Sequence, residues 1–198
     1  MTRIFCNNAE LCLLEKQMRQ PPGYRPRGHD IYMTEDRACI TRENYKDLVD
    51  YVICHMHMEQ LRIRIREIFS QGNVSIFRNP EHRKRYDSMI KHLRVREWGL
   101  DFSFESTLYL LTADAGLWNK VRESVLDTGI RFEQIKLGAV TLEQYILFHG
   151  AKDMYYGTRH IRVSELSDRE LIPDEILRLI VNGYVVEKYG MKIVGQGG

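Results

Sequence analysis

From residue 79 onward the chain carries helix-start signals in series, and these constrain its fold more than any other feature. Asn79, Pro80 and Glu81 read as an N-cap, a first helical residue whose fixed φ and missing N–H suit that position, and a carboxylate set against the positive helix end. Asp114 stands before Leu117, Trp118, Val121 and Val125, a spacing that predicts a helix stopped by Gly129. Thr141 with Gln144 makes a capping box ahead of a stripe of Leu147, Phe148, Ala151, Met154 and Tyr155, ended by Gly157. Pro173, Asp174 and Glu175 open a last helix whose Ile176, Leu177, Ile180, Val181 and Tyr184 are expected to face inward until Gly190. Phe104, Leu108 and Leu111 mark another helix between the first two. The expected fold class is therefore mainly α, an irregular helical domain with a loop-rich N-terminal region.

Before residue 76 the signals are sparser. Asn7 and Glu10 can form a capping box in front of Leu11, Leu14 and Met18, and the segment PPGYRPRGHD at 21 to 30 reads as a loop. Thr41 can cap a long helix carrying Tyr45, Val49, Val52 and Met56. The following LRIRIREIF alternates like a strand, and QGN at 71 to 73 offers a turn, so one short β-hairpin around 61-77 competes with continued helix. Helix is favoured, because no other convincing strand pair exists to enlarge such a sheet. The division expected is 1-75, a Cys-containing region with the Pro-rich loop and long helix, and 76-198, a helical domain.

A chain of 198 residues can bury roughly 70% of its unfolded surface without covalent staples. Its four cysteines, Cys6, Cys12, Cys39 and Cys54, fall in the first 54 residues, and Met1 to Glu10 lacks a basic start followed by an apolar run. The expectation is reduced thiols in a cytoplasmic protein. No window approaches the roughly 18 consecutive apolar residues of a membrane span. Lys plus Arg number 29 against 27 Asp plus Glu, balanced on both sides of residue 75, so no region announces a polyionic partner.

Candidate chemistry is thin. His82 shares a helical face with Tyr86, Met89 and Leu93, which makes it a half-buried structural histidine before it is an acid or base. Between Arg78 and Arg96 seven basic residues face two acidic ones, and Arg83, Lys84, Lys91 and Arg94 are the candidate nucleic-acid contacts. Their charge is spread around the helix, the pattern of a solvated face. Tyr145, His149, Lys152 and Tyr156 follow at i, i+4, i+7 and i+11, a stripe able to hold an anionic ligand or share a proton, and equally able to pack aromatic bodies with polar tips in water. Cys6, Cys12, His29 and Cys39 have the count of a zinc site without its paired-ligand spacing, so neither metal nor cofactor is expected. There is no G-x-S-x-G elbow, no phosphate-cradling Gly-Lys loop and no H-E-x-x-H, and no catalytic residue is assigned. Tyr24, Arg25 and Arg27 in the Pro-rich loop are the candidate contacts for a partner protein.

Three stretches, FRNPEHRKRYDSMI, STLYLLTADAGLW and EKYG, carry a resemblance. From Phe77 to Gly190 the chain resembles a family of small helical domains of unknown function found in Gram-positive bacteria. The resemblance implies a helical fold and brings no established activity. Residues 1 to 75 lie outside it.

The functional expectation is a non-enzymatic protein that works by binding another protein, a profile that an accessory or inhibitory protein of a mobile element would fit. Two alternatives stand beside it: nucleic-acid binding through the basic helix 78-96, and a small-ligand sensor or enzyme built on Tyr145, His149 and Lys152.

Overall fold

The computed structural model describes residues 49, 53, 58–70, 75–93 and 102–191, all within one compact unit spanning Ile40–Gly198. The expectations placed on Asn7, the 21–30 loop, Thr41 and all four cysteines lie outside the described residues. Val49 and Ile53, four apart, are helical and buried. Helices α1 (Glu59–Ser70), α2 (Pro80–Leu93), α3 (Phe102–Thr112) and α4 (Ala115–Val121) follow. A 3-10 turn at Arg122–Ser124 leads into the strands β1 (Val125–Leu126) and β2 (Gly129–Ile130). After a second turn at Phe132–Gln134 come α5 (Leu142–Tyr156), α6 (Val163–Leu166) and α7 (Asp174–Tyr189).

The molecule is organised around α3. Every residue of this helix from Phe104 to Thr112 is buried, so it has no solvent face, as expected of a helix enclosed on all sides. It packs most extensively on α5 and α7, and α2 and α4 also lie against it. Its polar side chains satisfy themselves locally: the Thr112 hydroxyl donates to the Leu108 carbonyl at 2.8 Å, and Thr107 donates to Ser103 at 2.6 Å and across to Ala151 of α5 at 3.2 Å. Helices α5 and α7 approach so closely that a Cβ on Gly183 would stand 2.8 Å from the Met154 methyl carbon, so any larger residue there has to displace the Met154 thioether.

The start signals work as hydrogen bonds. Asn79 Oδ1 accepts from the His82 N–H at 2.8 Å, Asp114 Oδ1 from the Leu117 N–H at 2.8 Å, and Thr141 with Gln144 exchanges both bonds of a capping box. Gln144 also donates to Asp114 at 2.8 Å, so one amide ties the starts of α4 and α5 together. Gly157 closes α5 in the left-handed region at φ 66°.

Two expectations need correction, and one alternative is decided. The helix after Asp114 ends at Val121 instead of running to Gly129: Val125 and Gly129 belong to a two-residue antiparallel hairpin, with Val125 opposite Ile130, whose Ile130 N–H donates to the Tyr155 hydroxyl at 3.1 Å. That contact with α5 holds the segment extended although its apolar spacing continues the helix. Tyr184 does not face inward; it is 47% exposed, and Val185 takes the buried position. The alternating segment is helical from Glu59 to Ser70, as favoured, so the competing hairpin around 61-77 does not form there.

Helical geometry sorts that alternation in an unexpected way. Leu61, Arg64 and Ile65 are buried, at i, i+3 and i+4, while Ile63 is left in solvent. Arg64 is fully employed across the interface of α1 with the chain ahead of α7. Its Nε donates to Asp174 Oδ1 at 2.8 Å, one terminal nitrogen to the Leu166 carbonyl at 2.8 Å, and the other to the Ile172 carbonyl. Among the described residues, no helix is long and apolar enough to cross a membrane.

Candidate functional site

Two histidines on helices decide where function can reside. His82, in the first turn of α2, has no exposed surface. Its Nδ1 accepts from the Arg78 backbone N–H at 3.0 Å and its Nε2 stands 2.8 Å from the Tyr109 carbonyl, an arrangement that requires the neutral ring with the proton on Nε2. Burial drives its pKa from 6.5 down to about 3, against the opposing pull of the Tyr109 carbonyl and with help from the Arg85 and Arg78 charges. Phe77 and Tyr109 pack against the ring, and the Tyr109 hydroxyl and Asn182 both donate to the Ile76 carbonyl, at 2.5 and 3.0 Å. Both ring nitrogens are therefore consumed in joining the Arg78 backbone to the Tyr109 carbonyl of α3, while Asn182 of α7 holds Ile76. The ring has no access to a substrate.

His149 is the opposite case. It lies on α5 with its ring 4.2 Å from Tyr145 and 5.2 Å from His160, centroid to centroid, and its buried Nδ1 has no hydrogen-bond partner among the described residues. Burial lowers its pKa, and the neighbouring His160 and Lys152 lower it further, with Asp153 opposing. Leu142 and Tyr145, each 50% exposed, continue the face at helical spacing.

Asp153 builds the other half. Gly157 reverses the chain, and the returning segment folds back over the last turns of α5. The buried carboxylate accepts from the His160 N–H at 2.8 Å, the Ile161 N–H at 3.0 Å, the Thr158 hydroxyl at 2.7 Å and the His160 ring at 2.6 Å. Burial alone would raise its pKa; the His160 and Ile161 N–H groups, with the two side chains, overcome this and hold it below the ordinary carboxylate range. The result is a ledge fixed by one side chain, presenting His160 beside His149.

The expected four-residue stripe is thus divided. Tyr145 and His149 stay together and gain His160, while Tyr156 turns away to donate to Glu133 at 2.6 Å, a bond that holds its pKa up to about 12. Lys152 stays close enough to both His149 and Glu133 to bias their ionisation. Asp153 and His160 were missed by the sequence reading. The available signal was Asp153 at i+4 from His149, with a helix-ending glycine and a Thr-x-His run just beyond it.

The basic helix is largely neutralised from within. Lys84 pairs with Glu81 at 2.7 Å, Arg83 with Asp87 at 3.7 Å, and Arg78 with Glu175 and Glu143 at 2.7 and 3.1 Å. Arg85 donates to the Thr112 and Ala113 carbonyls at the end of α3. Lys91 is exposed; Arg94, like Tyr24, Arg25 and Arg27 of the Pro-rich loop, lies outside the described residues. Among the described residues no group of three or more His, Cys, Asp or Glu is arranged to hold a metal ion, and Cys6, Cys12, His29 and Cys39 fall outside them.

No family model, curated protein or solved structure matches this chain.

Proposed function

We propose that this chain is a non-enzymatic helical protein that acts by binding another protein, with the face formed by Leu142, Tyr145, His149 and His160 as a contact surface. The observation that carries the reading is the contrast in polar satisfaction: the buried His149 Nδ1, with no partner among the described residues, belongs to a ring packed against the half-exposed Tyr145. Tyrosine on a rigid element is favoured at protein interfaces because it contributes large contact area at low entropic cost and carries a polar tip. The Asp153 staple supplies the rigidity.

The geometry favours binding over catalysis at this face. The hydroxyl nearest to the His160 ring is Thr158, 3.1 Å from Nδ1, and it already donates to Asp153, so it serves the loop. The test is affinity capture from nuclease-treated lysate of the native host, with the wild-type chain and a folded Tyr145→Ala/His149→Ala variant as parallel baits. A protein retained by the first and lost by the second supports the reading. Identical captures by both baits would refute this surface.

A further inference from the structure

Between α2 and α4 lies a cleft of about 380 Å³ lined by Lys84, Arg85, Ser88, Met89, His92 and Trp118. That volume lies near the lower end of small-molecule sites, which run roughly from 300 to 1,000 Å³. The first five residues fall along one face of α2 by helical spacing, and the half-buried indole comes from α4. Two permanent cations, a histidine and a hydroxyl thus accompany an aromatic ring and a thioether, and no carboxylate among the described residues lines the space.

We propose that this cleft binds a phosphorylated planar ring of the nucleoside monophosphate class, with the ring against Trp118 and Met89 and the phosphate at Lys84 and Arg85. Indole faces accept planar rings of any sequence identity, and thioethers make favourable contacts with ring edges. Ammonium and guanidinium groups are the side chains best suited to phosphate oxygens. Arg85 is held in place because it donates to the Thr112 and Ala113 carbonyls, at 2.8 and 3.4 Å. Among the described residues Lys84 is paired with Glu81 alone, both exposed, so exchanging that carboxylate for a phosphate costs little. The proposal is independent of the protein-binding face on α5.

The chain has two tryptophans, and a Trp98→Phe variant of the full-length protein leaves Trp118 as the sole indole reporter. Adenosine monophosphate, uridine monophosphate, inorganic phosphate and a short oligothymidylate are titrated while its fluorescence is followed. Saturable quenching is expected with a mononucleotide or with the oligonucleotide, weakened at least about tenfold by Lys84→Glu, the loss of one charge-assisted contact. Saturation by mononucleotides assigns the site to free nucleotides; saturation by the oligonucleotide alone assigns it to a unit of a single strand. No saturable response to any of them at millimolar concentration overturns the proposal, and so does a response that Lys84→Glu leaves unchanged. Calorimetry on the unsubstituted chain gives the same decision if the Trp98→Phe variant does not fold.

Discussion

His82 and His149 occupy similar places in the sequence pattern, each on a helix among aromatic neighbours, yet one closes a hydrogen-bonded knot and the other leaves a ring nitrogen unpaired. The difference lies in what meets the ring from elsewhere. Residues 76–78 and the Tyr109 carbonyl bracket His82 on both nitrogens. His149 is met by the rings of Tyr145, Phe148 and His160, and no described residue bonds its Nδ1. A buried polar group that is fully satisfied specifies a fold, whereas one left short marks a surface with unfinished contacts.

The largest expected effect tests the first half of that contrast. His82→Ala removes the partner of the Arg78 N–H, takes one bond from the Tyr109 carbonyl and opens a cavity beside the Phe77 and Tyr109 rings, for an expected loss of roughly 3 to 4 kcal/mol in urea unfolding. A loss below about 1 kcal/mol would break the comparison, because the knot would then contribute no more than an exposed side chain.

Acidification should separate the two rings next. His82 binds its proton at about pH 3 when folded and near 6.5 when unfolded, so the unfolded chain takes up the extra proton and stability falls as pH drops below about 6.5, levelling off near 3. Between pH 6.5 and 4.5 the expected loss from this ring is roughly 2 to 3 kcal/mol. Imidazole NMR shifts should show the His82 ring still neutral at pH 4.5, and a His82 resonance titrating near 6.5 in the folded protein would contradict the geometry.

Asp153→Ala should cost about 2 kcal/mol, since four donors lose their shared acceptor. Amide exchange at His160 and Ile161 should accelerate more than exchange in α3, which would locate the loss in the ledge. The smallest effect belongs to Tyr145→Ala, expected to change stability by no more than about 0.5 kcal/mol while removing partner binding. A large loss of stability there would make Tyr145 a core residue and dissolve the contrast.

Much of the fold was legible because caps act locally. Asn79, Asp114 and Thr141 each bond a backbone N–H three residues on, and such a contact is written in the sequence itself. The hairpin was not legible, because what keeps Val125 extended is its pairing with Ile130, whose N–H Tyr155 holds from 25 residues beyond Ile130. Tyr184 misled for a related reason: helical period alone gives the direction of a side chain, and only the neighbours of α7 decide how wide its buried face is. At the site, Tyr145 and His149 followed from spacing on one helix, whereas His160 entered through a chain reversal and a carboxylate, a tertiary event that periodicity does not encode.

Arg64 sets an order on the making of this protein. Its acceptors at Leu166, Ile172 and Asp174 lie 102 to 110 residues downstream, so when α1 leaves the ribosome none of them exists. At roughly 5 to 20 residues per second the guanidinium waits several seconds in water before the chain ahead of α7 arrives. Until then α1 has no dry place for that charge, and its docking belongs among the last steps of synthesis, gated by the arrival of the C-terminal segment.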